Sequence, residues 1–244
     1  MPVMPVIPVI SDIPVIPDIP VMPVMSDKGY FCIMRHGFRR DDPEHEEVKQ
    51  DISFPPYDCP IINSKTIEIL NSLKVFSTVS FDIIYTSPFK RCWQTALLIA
   101  KKFMPNTKII VDYNLREKDS AIIKDSGQKI FPINITQLIP QDKLEKEIDK
   151  SELSIEYIQP LDKFIDITND IYNEPNKIIE RNNYIIRLQD SKLNILVITH
   201  GDFVGSYYKH LTKKTSYSMK YCGYVLSKNN KFINNENFES TIID

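Results

Sequence analysis

The sequence from residue 30 to residue 37 reads YFCIMRHG, an apolar run that ends in arginine, histidine and glycine. An apolar run of this length, closed by a glycine-containing turn, predicts a buried β-strand over Tyr30–Met34. The sequence from residue 195 to residue 201 reads ILVITHG and repeats this design. His36 and His200, two of only four histidines, therefore each follow a predicted strand directly. Packing alone is a poor explanation for that coincidence, so both are candidates for a functional site.

Strand and helix patterns alternate along the chain from residue 28 onward. Further strands are predicted at Phe81–Tyr85, Lys108–Val111 and Ile195–Thr199, with a hairpin formed by Tyr224–Ser227 and Lys231–Ile233 across Asn229-Asn230. Helices are predicted over Ile61–Phe76 and Gly201–Leu211, and a third is expected to begin with Ser87 as N-cap and Pro88 as its first residue. Strands separated by helices predict an α/β fold, a three-layer sandwich with a mainly parallel central sheet.

The chain divides into an arm and one domain. Residues 1–27 are a low-complexity arm with proline at every third position for most of its length, and we expect it to be disordered. Residues 28–244 are long enough for a single domain with a large core. Within that domain the stretch 118–191 is polar with few strand signals, which predicts a cap or insertion and at least one layer helix.

Composition restricts the classes of partner. Basic and acidic residues nearly balance, 30 against 32, which argues against a general affinity for nucleic acid or anionic membrane. No apolar run approaches the roughly 18 residues of a membrane span. The four cysteines are widely spaced without a Cys-x-x-Cys pair, which favours reduced thiols and a cytoplasmic location. The oligomeric state cannot be predicted from these features.

The residues after the first strand suit an anion. The carboxyl ends of parallel strands are where ligands bind in α/β sheets, and Gly37 permits close approach of a backbone to a bound group. Arg35 offers a forked donor that matches phosphate oxygens, and His36 offers a nucleophile that can be neutral at pH 7. Arg91 is expected in the first turn of a helix, where free N–H groups already favour an anion.

Four motifs occur in a fixed order along the chain. They are Arg35-His36-Gly37, the Ser-Pro-x-x-Arg-x-x-Gln-Thr-Ala pattern of residues 87–96, Leu115-Arg116-Glu117, and Thr199-His200-Gly201. In these motifs the chain resembles the histidine phosphatase superfamily, the phosphoglycerate mutase-like group, branch 1. The resemblance covers about residues 30–117 and 194–211, and it implies a phosphoglycerate mutase-like fold.

The resemblance also implies a reaction and a set of site residues. It implies metal-independent hydrolysis of phosphomonoesters through a phosphohistidine on His36, with Glu117 as general acid and base and no cofactor. The groups expected to contact the phosphate are Arg35, Arg39, Arg91, His200, Gly37 and Gly201. The one run that could suggest a metal site, Glu44-His45-Glu46-Glu47, is interpreted as a solvated acidic loop.

A narrower resemblance concerns residues 35–39 and 55–61. They look like the Arg-His-Gly-x-Arg and Trp-Asp-Pro-Pro-Leu stretches of the ecdysteroid-phosphate and T-cell-signalling phosphatases, although Tyr57 and Cys59 depart from that pattern. In that subgroup the second arginine contacts phosphate, which makes Arg39 a candidate. The alternative is that Arg39 and Arg40 are surface residues that balance Asp41 and Asp42.

Two other functions remain open at this point. A phosphoglycerate mutase would return the phosphoryl group to a second substrate, although residues 38–42 differ from the pattern typical of mutases. A non-catalytic module of the same fold would only bind phosphorylated ligands. The expected partner is a phosphorylated small molecule or a phosphopeptide, and the sequence does not say which phosphomonoester.

Overall fold

The structure is a computed structural model that describes residues 28–42, 58–117, 155–158, 183–214 and 218–239. The proline-rich arm and most of the predicted cap lie outside these described residues. The acidic run at 44–47 and the Pro55-Pro56-Tyr57 stretch lie outside them as well.

The described residues form strands, helices and one 3-10 turn. The strands are β1 (Tyr30–Arg35), β2 (Ile83–Thr86), β3 (Lys108–Asp112), β4 (Ile155–Ile158), β5 (Ile195–Thr199), β6 (Ser218–Lys228) and β7 (Lys231–Glu239). The helices are α1 (Asn63–Ser72), α2 (Val75–Thr78), α3 (Lys90–Phe103) and α4 (Gly201–Thr212), with a 3-10 turn at Tyr113–Leu115 and a helical segment at 183–188.

The strands make one sheet in the order β4-β3-β2-β5-β1-β6-β7. All pairs from β4 to β1 are parallel, whereas β6 runs antiparallel to β1 and β7 antiparallel to β6. Because β5 lies between β2 and β1, the strand that carries the second histidine motif is the direct neighbour of the strand that carries the first. The predicted α/β class and mainly parallel sheet are confirmed.

Helices cover both faces of this sheet. Successive side chains of β1 point to opposite faces, so Cys32 and Met34 join a core cluster with α1, α2 and α3. Phe31 and Ile33 join a second cluster with α4 and the helical segment 183–188. Both clusters consist of side chains that are almost fully buried. The predicted three-layer sandwich is confirmed, and 183–188 supplies the expected layer helix.

The helix predicted over Ile61–Phe76 is wrong in its extent. The first helix ends at Ser72, Leu73 is extended at φ −81° and ψ 128°, and a separate short helix begins at Val75. Leu73 is buried among the α1–α3 cluster, and the Lys74 amide donates to the Glu236 carboxylate at 2.8 Å. The break is therefore stabilised by a contact with β7, which local sequence does not reveal.

The predicted start of α3 is also wrong. The helix begins at Lys90, and Phe89 rather than Ser87 occupies the N-cap position. The Ser87 hydroxyl is hydrogen-bonded to His200, while the Asp58 carboxylate accepts a hydrogen bond from the Lys90 amide at 2.6 Å. A carboxylate from a distant loop thus does the capping, which leaves Ser87 available for the site.

The remaining strand predictions differ mainly in length. The structure adds β4 at the sheet edge, inside the stretch predicted to contain few strands. The hairpin is confirmed and is longer than expected, and Asn229 and Asn230 have φ of 52° and 59°. Left-handed conformations at both turn residues are typical of a type I′ hairpin turn.

The state of the cysteines was one of the expectations from the sequence. All four cysteines are buried free thiols, and burial raises the pKa of Cys222 to about 12. They are consequently structural residues of the core rather than disulfide partners.

Across the described ranges, every helix is too short or too polar to cross a membrane. The cytoplasmic location stays a prediction.

Candidate active site

The parallel pairing of β1 with β5 brings the two histidine motifs together. Arg35 lies opposite Thr199 in the ladder, and the His36 amide donates to the Thr199 carbonyl at 2.9 Å. The residues that follow, His36 and His200, consequently leave the sheet at the same edge. Their ring centroids are 5.6 Å apart, with the rings at 65° to each other. The predicted convergence of these two imidazoles is found.

Burial and the charges of two arginines keep His36 neutral, and a hydrogen bond to the backbone leaves one of its nitrogens available. Its Nδ1 lies 2.9 Å from the Gly37 carbonyl oxygen, which can only accept, so Nδ1 carries the proton and Nε2 the lone pair. Burial lowers the pKa of His36 well below its ordinary value, and the charges of Arg91 and Arg35 lower it further. His36 is only 3% exposed. The geometry therefore suits a nucleophilic Nε2.

The loop after β1 is tied to two helices. The Gly37 amide donates to Thr95 Oγ1 at 2.8 Å, and that hydroxyl donates to the Arg91 carbonyl at 2.6 Å. The next amide, that of Phe38, donates to Thr66 Oγ1 at 3.0 Å. These bonds connect the loop to α3 and α1, so the backbone around His36 is held from two sides.

Gly37 is required by this close approach, and Gly37→Ala tests the requirement. A Cβ at this position would lie 2.4 Å from Thr66 Cγ2 and 2.6 Å from Thr66 Oγ1. We expect Gly37→Ala to lower the free energy of unfolding by about 1–3 kcal/mol, measured by urea denaturation.

Two variants accompany that measurement. Gly201→Ala is the matched control, because a Cβ there would meet its nearest neighbour, Arg35 Cδ, at 3.6 Å. Adding Thr66→Ala to Gly37→Ala should recover part of the loss, since it removes two of the clashing atoms. A Gly37→Ala protein as stable as Gly201→Ala would contradict the steric argument.

His200 lies at the centre of the site. Ser87 Oγ is 2.9 Å from its Nε2, and an Arg91 guanidinium N–H approaches its Nδ1 at 3.3 Å. His200 Nδ1 therefore lies beside both the Arg91 guanidinium and the Glu117 carboxylate, while Nε2 faces the Ser87 hydroxyl. Burial lowers the pKa of His200 well below its ordinary value, and the charge of Arg91 is the next largest cause of this lowering. The site thus holds two neutral imidazoles among arginines.

Arg91 and Glu117 meet beside His200. Arg91 lies in the first turn of α3, as predicted, and is only 1% exposed, with its guanidinium carbon 4.6 Å from the Phe89 ring centroid. It forms an ion pair with Glu117, whose Oε2 also lies 3.4 Å from His200 Nδ1. Glu117 follows the 3-10 turn at the end of β3, which carries the carboxylate to the sheet edge where the histidines lie.

Arg35 reaches the site from the end of β1. One guanidinium nitrogen donates to the Met219 carbonyl at 2.5 Å, and the guanidinium carbon lies 4.3 Å from the Tyr221 ring centroid. Gly201 leaves room for this side chain. Within the part of the chain that the structure describes, the buried Arg35 Nε has no hydrogen-bond partner. A buried donor of this kind is suited to an anionic ligand.

Arg39 has a different environment. Its Nε and one terminal nitrogen donate to the two carboxylate oxygens of Asp41 at 2.7 and 2.6 Å, which is the ion pair of the alternative interpretation. Its charge nevertheless contributes to lowering the pKa of His200. Arg39 thus lies near the site while bound to a carboxylate, and its contact with phosphate stays a prediction.

Several residues that hold the site were not singled out from the sequence. They are Asp58, Thr66, Ser87 as a histidine partner, Thr95 and Tyr221. Ser87 and Thr95 lie inside the motif at 87–96, so their position in the motif was an available signal. Tyr221 had no local signal, because it reaches the site through a strand irregularity.

Comparisons with known proteins were made on sequence and on structure. Residues 32–129 match the family model of the histidine phosphatase superfamily (branch 1). A search of curated proteins finds no match. The resemblance to this superfamily is thereby confirmed at the level of the family model, while the narrower subgroup stays a prediction.

Solved structures with a similar fold include three that span most of this chain. An ecdysone phosphate phosphatase from Bombix mori in complex with tungstate is 14% identical over 89% of this chain and 96% of its own, with a TM-score of 0.49. A phosphoglycerate mutase from Bacillus anthracis is 17% identical over 88% and 93%, with a TM-score of 0.49. A phosphohistidine phosphatase SixA, described as putative, from Agrobacterium tumefaciens is 11% identical over 86% and 99%, with a TM-score of 0.42.

Proposed function

We propose that this chain, which matches the histidine phosphatase superfamily (branch 1) over residues 32–129, hydrolyses phosphomonoesters through a phosphohistidine on His36. The observation that carries the proposal is the placement of two neutral imidazoles 5.6 Å apart beside the buried Arg91. A neutral imidazole can attack phosphorus, and buried guanidinium groups stabilise the charge on the transferring oxygens. The presence of both kinds of group in one site supports the proposal.

The first step transfers the phosphoryl group to the protein. The Nε2 lone pair of His36 attacks phosphorus in line, a P–N bond forms and the P–O bond to the leaving group breaks. Glu117, a carboxylate in its ion pair with Arg91, takes the proton of the bound phosphate monoanion and passes it to the leaving oxygen. Arg35, Arg91 and His200 surround the non-bridging oxygens, whose negative charge they stabilise.

The second step returns the protein to its starting state. The Glu117 carboxylate takes a proton from a water molecule, whose oxygen attacks the phosphorus of the phosphohistidine. The P–N bond breaks, inorganic phosphate leaves, and His36 regains the Nε2 lone pair. Glu117 returns that proton to the departing phosphate and is a carboxylate again, so the cycle closes without a metal ion or a cofactor.

Glu117→Gln tests the role of the general acid. We expect kcat/KM for an alkyl phosphate to fall by about 10²- to 10³-fold, because an alkoxide leaves poorly without a proton. For para-nitrophenyl phosphate the same variant should lose less than about 10-fold, because that phenolate leaves well unprotonated. Steady-state assays of released phosphate measure both values, and kcat/KM reports the step in which the leaving group departs.

Glu156→Gln is the matched control for that experiment. Glu156 lies on the edge strand β4, is exposed, and forms an ion pair with Lys108. We expect no change in kcat/KM for either substrate. An equal loss on both substrates in Glu117→Gln would count against proton donation and would favour a role for Glu117 in placing Arg91.

The substrate class proposed is a phosphorylated small molecule or a phosphopeptide. The near balance of basic and acidic residues argues against a partner of high charge density such as nucleic acid. A retained mutase activity would appear as isotope exchange between two phosphoglycerates, whereas hydrolysis releases inorganic phosphate from every turnover.

A further inference from the structure

Tyr221 is a half-buried aromatic residue that none of the four sequence motifs includes. Its ring lies against the guanidinium of Arg35, with 4.3 Å between the guanidinium carbon and the ring centroid. The same ring lies 5.8 Å from the His36 ring and 4.7 Å from the Phe38 ring, centroid to centroid. Tyr221 therefore touches the group that would bind phosphate and lies beside the nucleophile.

The Tyr221 hydroxyl is tethered at its far end. It donates to the Asp42 carboxylate at 2.5 Å, and Asp42 belongs to the loop that continues from His36. The ring is thus held between that loop and β6. A phenol that donates to a carboxylate gains electron density, which strengthens the attraction of its ring for a cation.

A strand irregularity brings Tyr221 to this place. The β6–β7 ladder shifts register between Met219 and Tyr224, so the pairing of β6 with β7 is irregular between these two residues. Cys222 within the shift has φ 55°, and its amide donates to the His36 carbonyl at 3.1 Å. Bulges beside active sites commonly redirect a side chain. Here the irregularity directs Tyr221 towards Arg35 and His36.

The irregular segment holds the Arg35 guanidinium from two directions. The Met219 carbonyl accepts from one terminal nitrogen, and the Tyr221 ring covers the face of the group. The side chain is left with its Nε buried and unpartnered within the described residues. A guanidinium held in this way loses little rotational freedom when an anion binds, so more of the contact energy appears as affinity.

We propose that Tyr221 is a positioning residue that orients Arg35 for the phosphate group. The proposal rests on the proposed function only in the identity of the anion. Tyr221 does not contact the reacting atoms. It acts by keeping the Arg35 guanidinium at one orientation, and Asp42 keeps the ring in place.

Tyr221→Leu tests the proposal with two readouts. We expect the dissociation constant for inorganic phosphate, measured by calorimetry, to rise about 10-fold, which corresponds to the loss of a buried cation–π contact. The KM for para-nitrophenyl phosphate should rise by a similar factor, while kcat changes by less than about 3-fold. A merely structural role would lower stability without this split between KM and kcat.

Tyr30→Leu is the matched control. Tyr30 and Lys228 make a second pairing of a tyrosine ring with a cation, 4.9 Å apart, across the same two strands at the end remote from the site. Its removal should cost comparable stability and leave phosphate affinity and KM unchanged. If Tyr221→Leu and Tyr30→Leu have equal phosphate affinities, the proposal is overturned.

A double-mutant cycle with Arg35→Gln separates positioning from general packing. In the Arg35→Gln background, Tyr221→Leu should change phosphate affinity by less than about 2-fold, because the cation that it orients is absent. A full 10-fold effect in that background would overturn the proposal. Should Tyr221→Leu fail to fold, Tyr221→Phe and Asp42→Asn replace it, each expected to weaken phosphate binding about 3-fold, and unchanged affinity in both would overturn it.

Failure of the two proposals can be told apart. A wild-type protein that releases no phosphate from any ester contradicts the proposed hydrolysis, whatever the Tyr221 variants do. If that protein still binds inorganic phosphate and loses affinity in Tyr221→Leu, the positioning role stands for a binding site. If the wild type hydrolyses esters and Tyr221→Leu behaves as Tyr30→Leu, only the positioning role falls.

Discussion

Replacement of His36 by alanine should reduce phosphatase activity by roughly 10⁴-fold or more, because the variant lacks the proposed nucleophile. Its Nε2 is the nitrogen left unprotonated by the bond from Nδ1 to the Gly37 carbonyl. Turnover of para-nitrophenyl phosphate measures the loss. Rapid quench with radiolabelled substrate should trap an acid-labile phosphoprotein in the wild type and none in His36→Ala.

His210→Ala is the control for that variant. His210 lies on the exposed surface of α4, the helix that His200 precedes, and takes no part in the site. The control should keep both the wild-type rate and the trapped intermediate. A wild-type rate in His36→Ala would contradict the proposed nucleophile, and an intermediate that survives in it would place the phosphoryl group on another residue.

Arg91→Met should lower kcat/KM by about 10²- to 10³-fold, the effect expected when a buried donor to the transition-state charge is removed. Arg91 contacts both Glu117 and His200, so its loss also frees the proposed acid. Lys102→Met, an exposed cation lost from the same helix, should leave kcat/KM unchanged. Phosphate release assays at several substrate concentrations measure both variants.

The pH dependence of Arg91→Met gives a second, independent result. After burial, the charge of Arg91 is the largest influence that lowers the pKa of His36. Removing that charge raises the pKa, so His36 becomes protonated at a higher pH as the solution is acidified. The acid limb of kcat/KM should therefore move to higher pH relative to the wild type. A limb that stays in place would mean that a group other than His36 limits the rate in acid.

Much of the site could be predicted because its residues follow strands. His36 and His200 each come directly after an apolar run, and parallel strand ends share one edge of a sheet. Arg91 was predictable from the motif at 87–96, which places it at the start of a helix. These inferences need only local sequence and the direction of the strands.

The features that the sequence analysis predicted wrongly or missed depend on contacts between residues that are distant in the sequence. Serine is a residue type that commonly caps helices. In the structure, however, Asp58 caps α3, and the Ser87 hydroxyl forms a hydrogen bond with His200. Tyr221 lies at the site because β6 and β7 shift register, and a register shift is set by the pairing of two strands. The edge strand β4 likewise depends on its neighbour β3. Local sequence patterns do not identify such distant partners.

The pairing of β1 with β5 determines when the candidate site can form during folding. His36 and His200 follow strands that lie far apart in the sequence, and a single parallel ladder joins these two strands. Closing so long a loop costs configurational entropy before the pairing repays it. The proposed site can therefore assemble only after the β1–β5 ladder has formed, late in the folding of the chain.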